Sequence, residues 1–117
     1  MDLFWNKCQG DVWCRLSTVN LAHSHFDNMV GVYIIWHGGP QPATVKVGRG
    51  NIRDELQAQR IDAHVQAFAN LGLFVTWASV PEQQAAGVQV FLVQKLNPKV
   101  PVDNAAPAAP VSATVPW

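Results

Sequence analysis

The stretch that most constrains this chain is an uncharged run from Met29 to Val45, broken in its middle by His37-Gly38-Gly39-Pro40-Gln41-Pro42. A membrane-spanning helix needs ~20 apolar residues without such breakers, so the run reads as strand, loop, strand. Val30 to Trp36 is β-branched and aromatic, which predicts a buried strand. Ala43 to Val47 predicts a second strand, antiparallel to the first, and Gly48-Arg49-Gly50 a tight turn. Asn51 is placed to cap a helix, with Asp54 in its first turn. Ile52, Leu56, Ala63 and Ala67 form one stripe of that helix, widened by Ile61, Val65 and Phe68, which predicts helix over residues 52–70. Gly72 ends it, and Leu73 to Ala78 predicts a third strand. Pro81 opens a second helix over 82–96, with Ala85, Val88, Leu92 and Leu96 at helical spacing and Asn97-Pro98 as its stop. The order β-β-α-β-α predicts an α+β fold, a three-stranded antiparallel sheet with flanking helices.

Two flanks surround this core. Residues 1–28 read as an N-terminal arm, residues 29–100 as the folded domain, and residues 101–117 as an Ala/Pro-rich tail. The tail carries four prolines and almost no charge, so it is expected to be an extended tether without a core of its own. It is expected to be mobile in the isolated chain, with Val111, Val115 and Trp117 as anchors for a neighbouring subunit or partner. Charged residues are 14% of the chain, against about 25% in a typical domain, and eight basic residues balance eight acidic ones. That balance excludes a globally basic nucleic-acid binder and permits self-association. Met1 to Lys7 lacks a basic segment followed by an apolar one, and two cysteines do not make a secreted disulfide scaffold, so a cytoplasmic location is expected.

Gly31-Val32-Tyr33 in the first strand and Lys46-Val47-Gly48 at the end of the second resemble the two halves of the GIY-YIG nuclease signature. Arg49 to Leu56 resembles that superfamily's turn into its first helix, and Gly87 to Val100 its second helix with a terminating proline. The resemblance covers residues 29–100, and the arm, with Trp13-Cys14 and His23-Ser24-His25-Phe26, looks like an extension found in some bacterial members. It implies two tyrosines lining a site, a helix arginine that neutralises phosphate, and a glutamate holding one divalent metal, Mg or Mn. Tyr33 matches the first tyrosine. The second falls on Lys46, the arginine on Glu55 (Arg53 lies two positions earlier), and the metal glutamate on Gln89. A neutral amide is a poor ligand for a hard cation, and Glu55 would repel the scissile phosphate. Glu82, two helical turns before Gln89, is the one carboxylate that offers a substitute.

Tyr33, Lys46, Arg49, Arg53 and Gln89 are therefore expected as positions of a vestigial site. Lys46, Arg49, Arg53 and Arg60 form a local basic cluster, offset by Asp54 and Glu55. Cys8, Cys14, His23 and His25 are suitable zinc ligands in type, although C-x5-C followed by H-x-H is not a zinc-finger spacing. Trp36 and Trp77 fall in strands, while Trp5 and Trp13 are placed to pin the arm. The expected function is a catalytically degenerate GIY-YIG-like binding or assembly module without a cofactor, with a protein partner or self-assembly favoured over nucleic acid. The alternatives are a rearranged metal-dependent DNA endonuclease and a zinc-stapled structural subunit.

Overall fold

In the computed structural model, which describes residues 1–102 and 108–117, the run Val30–His37 becomes the central strand of the sheet. Its residues Val32, Tyr33, Ile34 and Ile35 are all fully buried, because their alternate side chains feed two different cores. Tyr33 and Ile35 join one core, and Val32 and Ile34 the other. The elements in chain order are β1 (Cys14–Arg15), β2 (Val30–His37), β3 (Ala43–Asn51), α1 (Ile52–Gln59), α2 (Ala63–Gln66), β4 (Leu73–Ser79) and α3 (Glu82–Leu96). The sheet order is β1-β4-β2-β3, and every pairing is antiparallel. The first core lies under α1, α2 and the arm, and the second under α3. No helix among the described residues is long and apolar enough to cross a membrane.

The α+β class stands, but the sheet has four strands rather than the expected three. The extra strand comes from the arm: Cys14 pairs with Val75 and Arg15 with Phe74. Leu16, Val19, Leu21 and Phe26 are buried in the first core, so residues 1–28 are structurally part of the domain. The second strand is also longer than expected. Gly48-Arg49-Gly50 is not a turn but the end of β3, where Gly48 pairs with Tyr33 and Gly50 with Gly31. Opposite Ile35 and Trp36, the partner skips from Lys46 to Thr44, a bulge that leaves Val45 outside the one-to-one pairing. The bulge lets Val45 enter the first core while Val47 enters the second.

The helix expected over residues 52–70 is broken. α1 stops at Gln59: Arg60 N still donates to Leu56 O, Ile61 N then tightens onto Ala58 O, and the Arg60 side chain reaches away, its Nε donating to Leu16 O at 2.8 Å and its Nη2 to Val19 O. Asp62 then starts a new turn, accepting from His64 N at 2.9 Å and Val65 N at 3.1 Å. Ile61, placed on the buried stripe by spacing, is 85% exposed at this break.

The tail does not behave as a tether where it is described. Val111, Ala113 and Val115 pack on the second core. Val111 N donates to Gly87 O at 2.9 Å, and Thr114 N donates to Met1 O at 3.0 Å. The Met1 ammonium donates to Ser112 O, and Leu3 N to Thr114 Oγ1. The two chain ends thus clasp each other across α3, and Trp5 Nε1 reinforces the clasp by donating to Thr114 O. The expectation of an extended, mobile segment also took in residues 103–107, which lie outside the described residues.

Candidate functional site

Residues 99 and 100 cover the start of the β3 edge, Lys99 N donating to Thr44 O and Val100 N to Val45 O. Beyond them a polar cavity of about 340 Å³ opens, wrapped around this edge strand. Tyr33, Lys46, Glu55, Gln59 and Asp62 enter it from the α1 side of the sheet, and Arg49 and Gln89 from the α3 side. The alternation of β3 produces this split: Lys46 and Gly48 share one face, and Arg49 takes the other.

Gly48 makes room for Tyr33. A Cβ at Gly48 would lie 2.1 Å from the ring carbon Cζ, so the phenol occupies space that any other residue would fill. The ring is fully buried, and its hydroxyl donates to Glu55 Oε1 at 3.1 Å. Burial first, and then the Glu55 carboxylate, hold the phenol well above its ordinary pKa. Tyr33 therefore stays protonated, and its O–H donates to Glu55. Across the edge, Arg49 Nε donates to Gln89 Oε1 at 3.0 Å, and Gln89 Nε2 donates to Val47 O at 3.2 Å. Both ends of the Gln89 amide are thus engaged by its own neighbours.

Of the five vestigial positions expected from sequence, four meet in this cavity and Arg53 does not. Arg53 donates through Nε to Leu21 O at 2.7 Å and pairs with Asp27 at 2.8 Å, so it pins the arm. Glu82 is exposed at the start of α3 and does not line the cavity, so the substitute carboxylate is not delivered. Gln59 and Asp62 were missed by sequence reasoning. Gln59 continues the spacing of Ile52 and Leu56, a polar residue on an apolar stripe, and that was the available signal. Its Oε1 is buried with no hydrogen-bond partner among the described residues, an open acceptor at the cavity wall. The Lys46 side chain, in a residue 8% exposed, has no hydrogen bond or ion pair among the described residues.

Asp62 has a second duty as the cap of α2. The backbone N–H of Val65 is the main influence holding its carboxyl below the ordinary value; burial opposes this, and His64 N–H and the Lys46 charge assist. A carboxylate with a lowered folded pKa stabilises most above the ordinary range, ~4, and loses that contribution as pH falls through the folded value. Asp62→Ala is expected to cost about 1 kcal/mol in urea unfolding at neutral pH, with the difference shrinking in acid as the carboxylate loses its charge. Asp62→Asn retains a capping oxygen and should lose less.

The donor set does not suit the divalent metal that the resemblance implies. Gln89 offers a neutral oxygen already engaged by Arg49, and a second cation beside that guanidinium is disfavoured. The zinc expectation fails on its donors as well. Cys8 and Cys14 are joined as a disulfide, which leaves no thiolate. His23 Nδ1 accepts from His25 N, and His25 Nε2 accepts from Trp77 Nε1, so both lone pairs are occupied. Trp117 serves the chain's own surface: its ring sits edge-on to Trp36 at 5.0 Å and to Trp13 at 6.3 Å. No family model, curated protein or solved structure matches this chain.

Proposed function

We propose that this chain is a catalytically degenerate GIY-YIG-like domain that acts as a binding module for a protein partner, or for a second copy of itself. The single observation that carries this reading is the pair of internal locks at the cavity, Tyr33 on Glu55 and Arg49 on Gln89. Each occupies a group that phosphodiester hydrolysis would need free. The two cations of the cavity face two carboxylates, Glu55 and Asp62, so no net positive field is offered to a nucleic-acid backbone. The arrangement supports a polar recognition pocket rather than a reaction centre.

A protein partner is favoured by the aromatic surface at the other end of the sheet. Trp13, Trp36 and Trp117 contact one another, and Trp117 is left 55% exposed. Partly exposed tryptophans are enriched at protein interfaces. The Cys8–Cys14 bridge argues against the expected cytoplasmic home, since such bonds persist in oxidising compartments and are rare in the cytosol. Alkylation of free thiols at the moment of lysis should then leave both cysteines unmodified.

The test is incubation with plasmid and branched DNA in magnesium or manganese. No cleavage is expected, either from the wild type or from Gln89→Glu, because Glu55 still repels phosphate. Divalent-dependent cleavage that Tyr33→Phe abolishes would overturn this reading and establish the nuclease alternative.

A further inference from the structure

A second cavity, of about 350 Å³, lies beside the arm and shares no lining residue with the site above. Arg15 and Arg60 both line it, together with Ser17, Gln66, Ala69 and Gly72. No carboxylate lines this cavity, and neither arginine pairs with one among the described residues. Two guanidinium groups without a counter-ion repel each other, and in a chain of zero net charge that arrangement calls for an anion.

The two arginines are held differently. Arg60 is fixed, since its Nε and Nη2 donate to Leu16 O and Val19 O. Five N–H groups on a guanidinium leave three uncommitted there. Arg15 is exposed and makes no hydrogen bond through its side chain among the described residues, resting over the ring of Phe74 at 5.1 Å. A Cβ placed on Gly72 would be 3.6 Å from Arg15 Nη1, which puts that nitrogen beside the Gly72 backbone at the cavity wall. One pre-set donor and one movable donor make a clamp for a tetrahedral oxyanion.

We propose that this cavity binds a small phosphate monoester, with the phosphoryl oxygens between Arg15, Arg60 and the Ser17 hydroxyl. The cavity is at the lower end of the usual range for organic ligands and larger than a bare phosphate needs. The remainder of the ester would lie against the exposed Ala69 and the Gly72 backbone, since Leu16 and Leu73 are buried beneath them. This site shares no lining residue with the degenerate centre, and it adjoins the proposed partner surface through Phe74, whose ring stacks on Trp36.

The experiment is isothermal titration of the 117-residue chain with phenyl phosphate and with inorganic phosphate. Phenyl phosphate is expected to bind with a dissociation constant of ~1 mM or tighter, and more tightly than inorganic phosphate. Arg15→Gln should weaken it about tenfold or more without changing the melting temperature of the free protein, because Arg15 is exposed. Equal affinity for the two probes would overturn the assignment to an ester. No measurable binding, or binding unchanged in Arg15→Gln, would overturn the site.

Discussion

Gly31→Ala is expected to cost this fold about 3 kcal/mol or more, and to lower its melting temperature by roughly 10–20 °C. Gly31 lies in β2 with neighbours on both sides, Gly50 in β3 and Ser79 in β4. A Cβ there would sit 1.9 Å from Ala78 O and 2.9 Å from Ala78 C. Those are backbone atoms of a paired strand, so relief requires β4 to move rather than a side chain to turn. Ala78 is itself fully buried in the second core, which opposes that movement. Thermal and urea unfolding of the single variant check this. A loss below about 1 kcal/mol would mean that the end of β4 yields freely, and the close approach would then not be a constraint.

Gly48 tests the same idea at the site. Here the obstruction is the ring of Tyr33, which is a side chain, and it could in principle be removed. The two glycines of the signature-like segments thus have separate steric reasons. One lets two strands approach, and the other lets a phenol cross the sheet and reach Glu55.

The three main strands and α3 were legible because their apolar runs are bounded by Gly and Pro. The errors came where a local rule met a tertiary one. Gly48-Arg49-Gly50 has the composition of a turn, yet it continues β3 because Tyr33 needs the empty face of Gly48. Ala63 and Ala67 matched the stripe of α1, but Asp62 caps a new turn, accepting from His64 N and Val65 N. β1 is two residues long, too short for any periodic signal. At the cavity, Tyr33, Lys46 and Gln89 were reached through the resemblance to the GIY-YIG signature, and Arg49 through the basic cluster beside it. Arg53 was misplaced because a salt bridge to Asp27, distant in sequence, decides where its side chain goes. The tail was read from proline content, while the alternation of Val111, Ala113 and Val115, every second residue, was the signal that it lies on an apolar surface.

Gly87→Ala is expected to change the sign of its effect according to whether the tail is present. In the 117-residue chain a Cβ on Gly87 would fall 2.5 Å from Val111 Cγ2 and 2.7 Å from Ala109 O. The tail must lift, straining the Val111 N–H bond to Gly87 O, and a loss of about 2 kcal/mol is expected. Removing residues 108–117 takes away three half-buried apolar contacts and the clasp to Met1 and Leu3, for an expected loss of about 3 kcal/mol. In that shortened chain the three atoms nearest a Gly87 Cβ are gone, and alanine inside a helix is better than glycine by about 1 kcal/mol. The same substitution should therefore destabilise the longer chain and stabilise the shorter one. Urea unfolding of the four proteins measures this directly as a coupling between Gly87 and the tail. If alanine stabilises both, the tail does not rest on α3 in solution and the tether reading returns. If alanine destabilises both, the constraint at Gly87 comes from elsewhere in the domain. A sign change is the outcome that a tail packed on its own domain requires, because a free tether has no means of sensing a methyl group on α3.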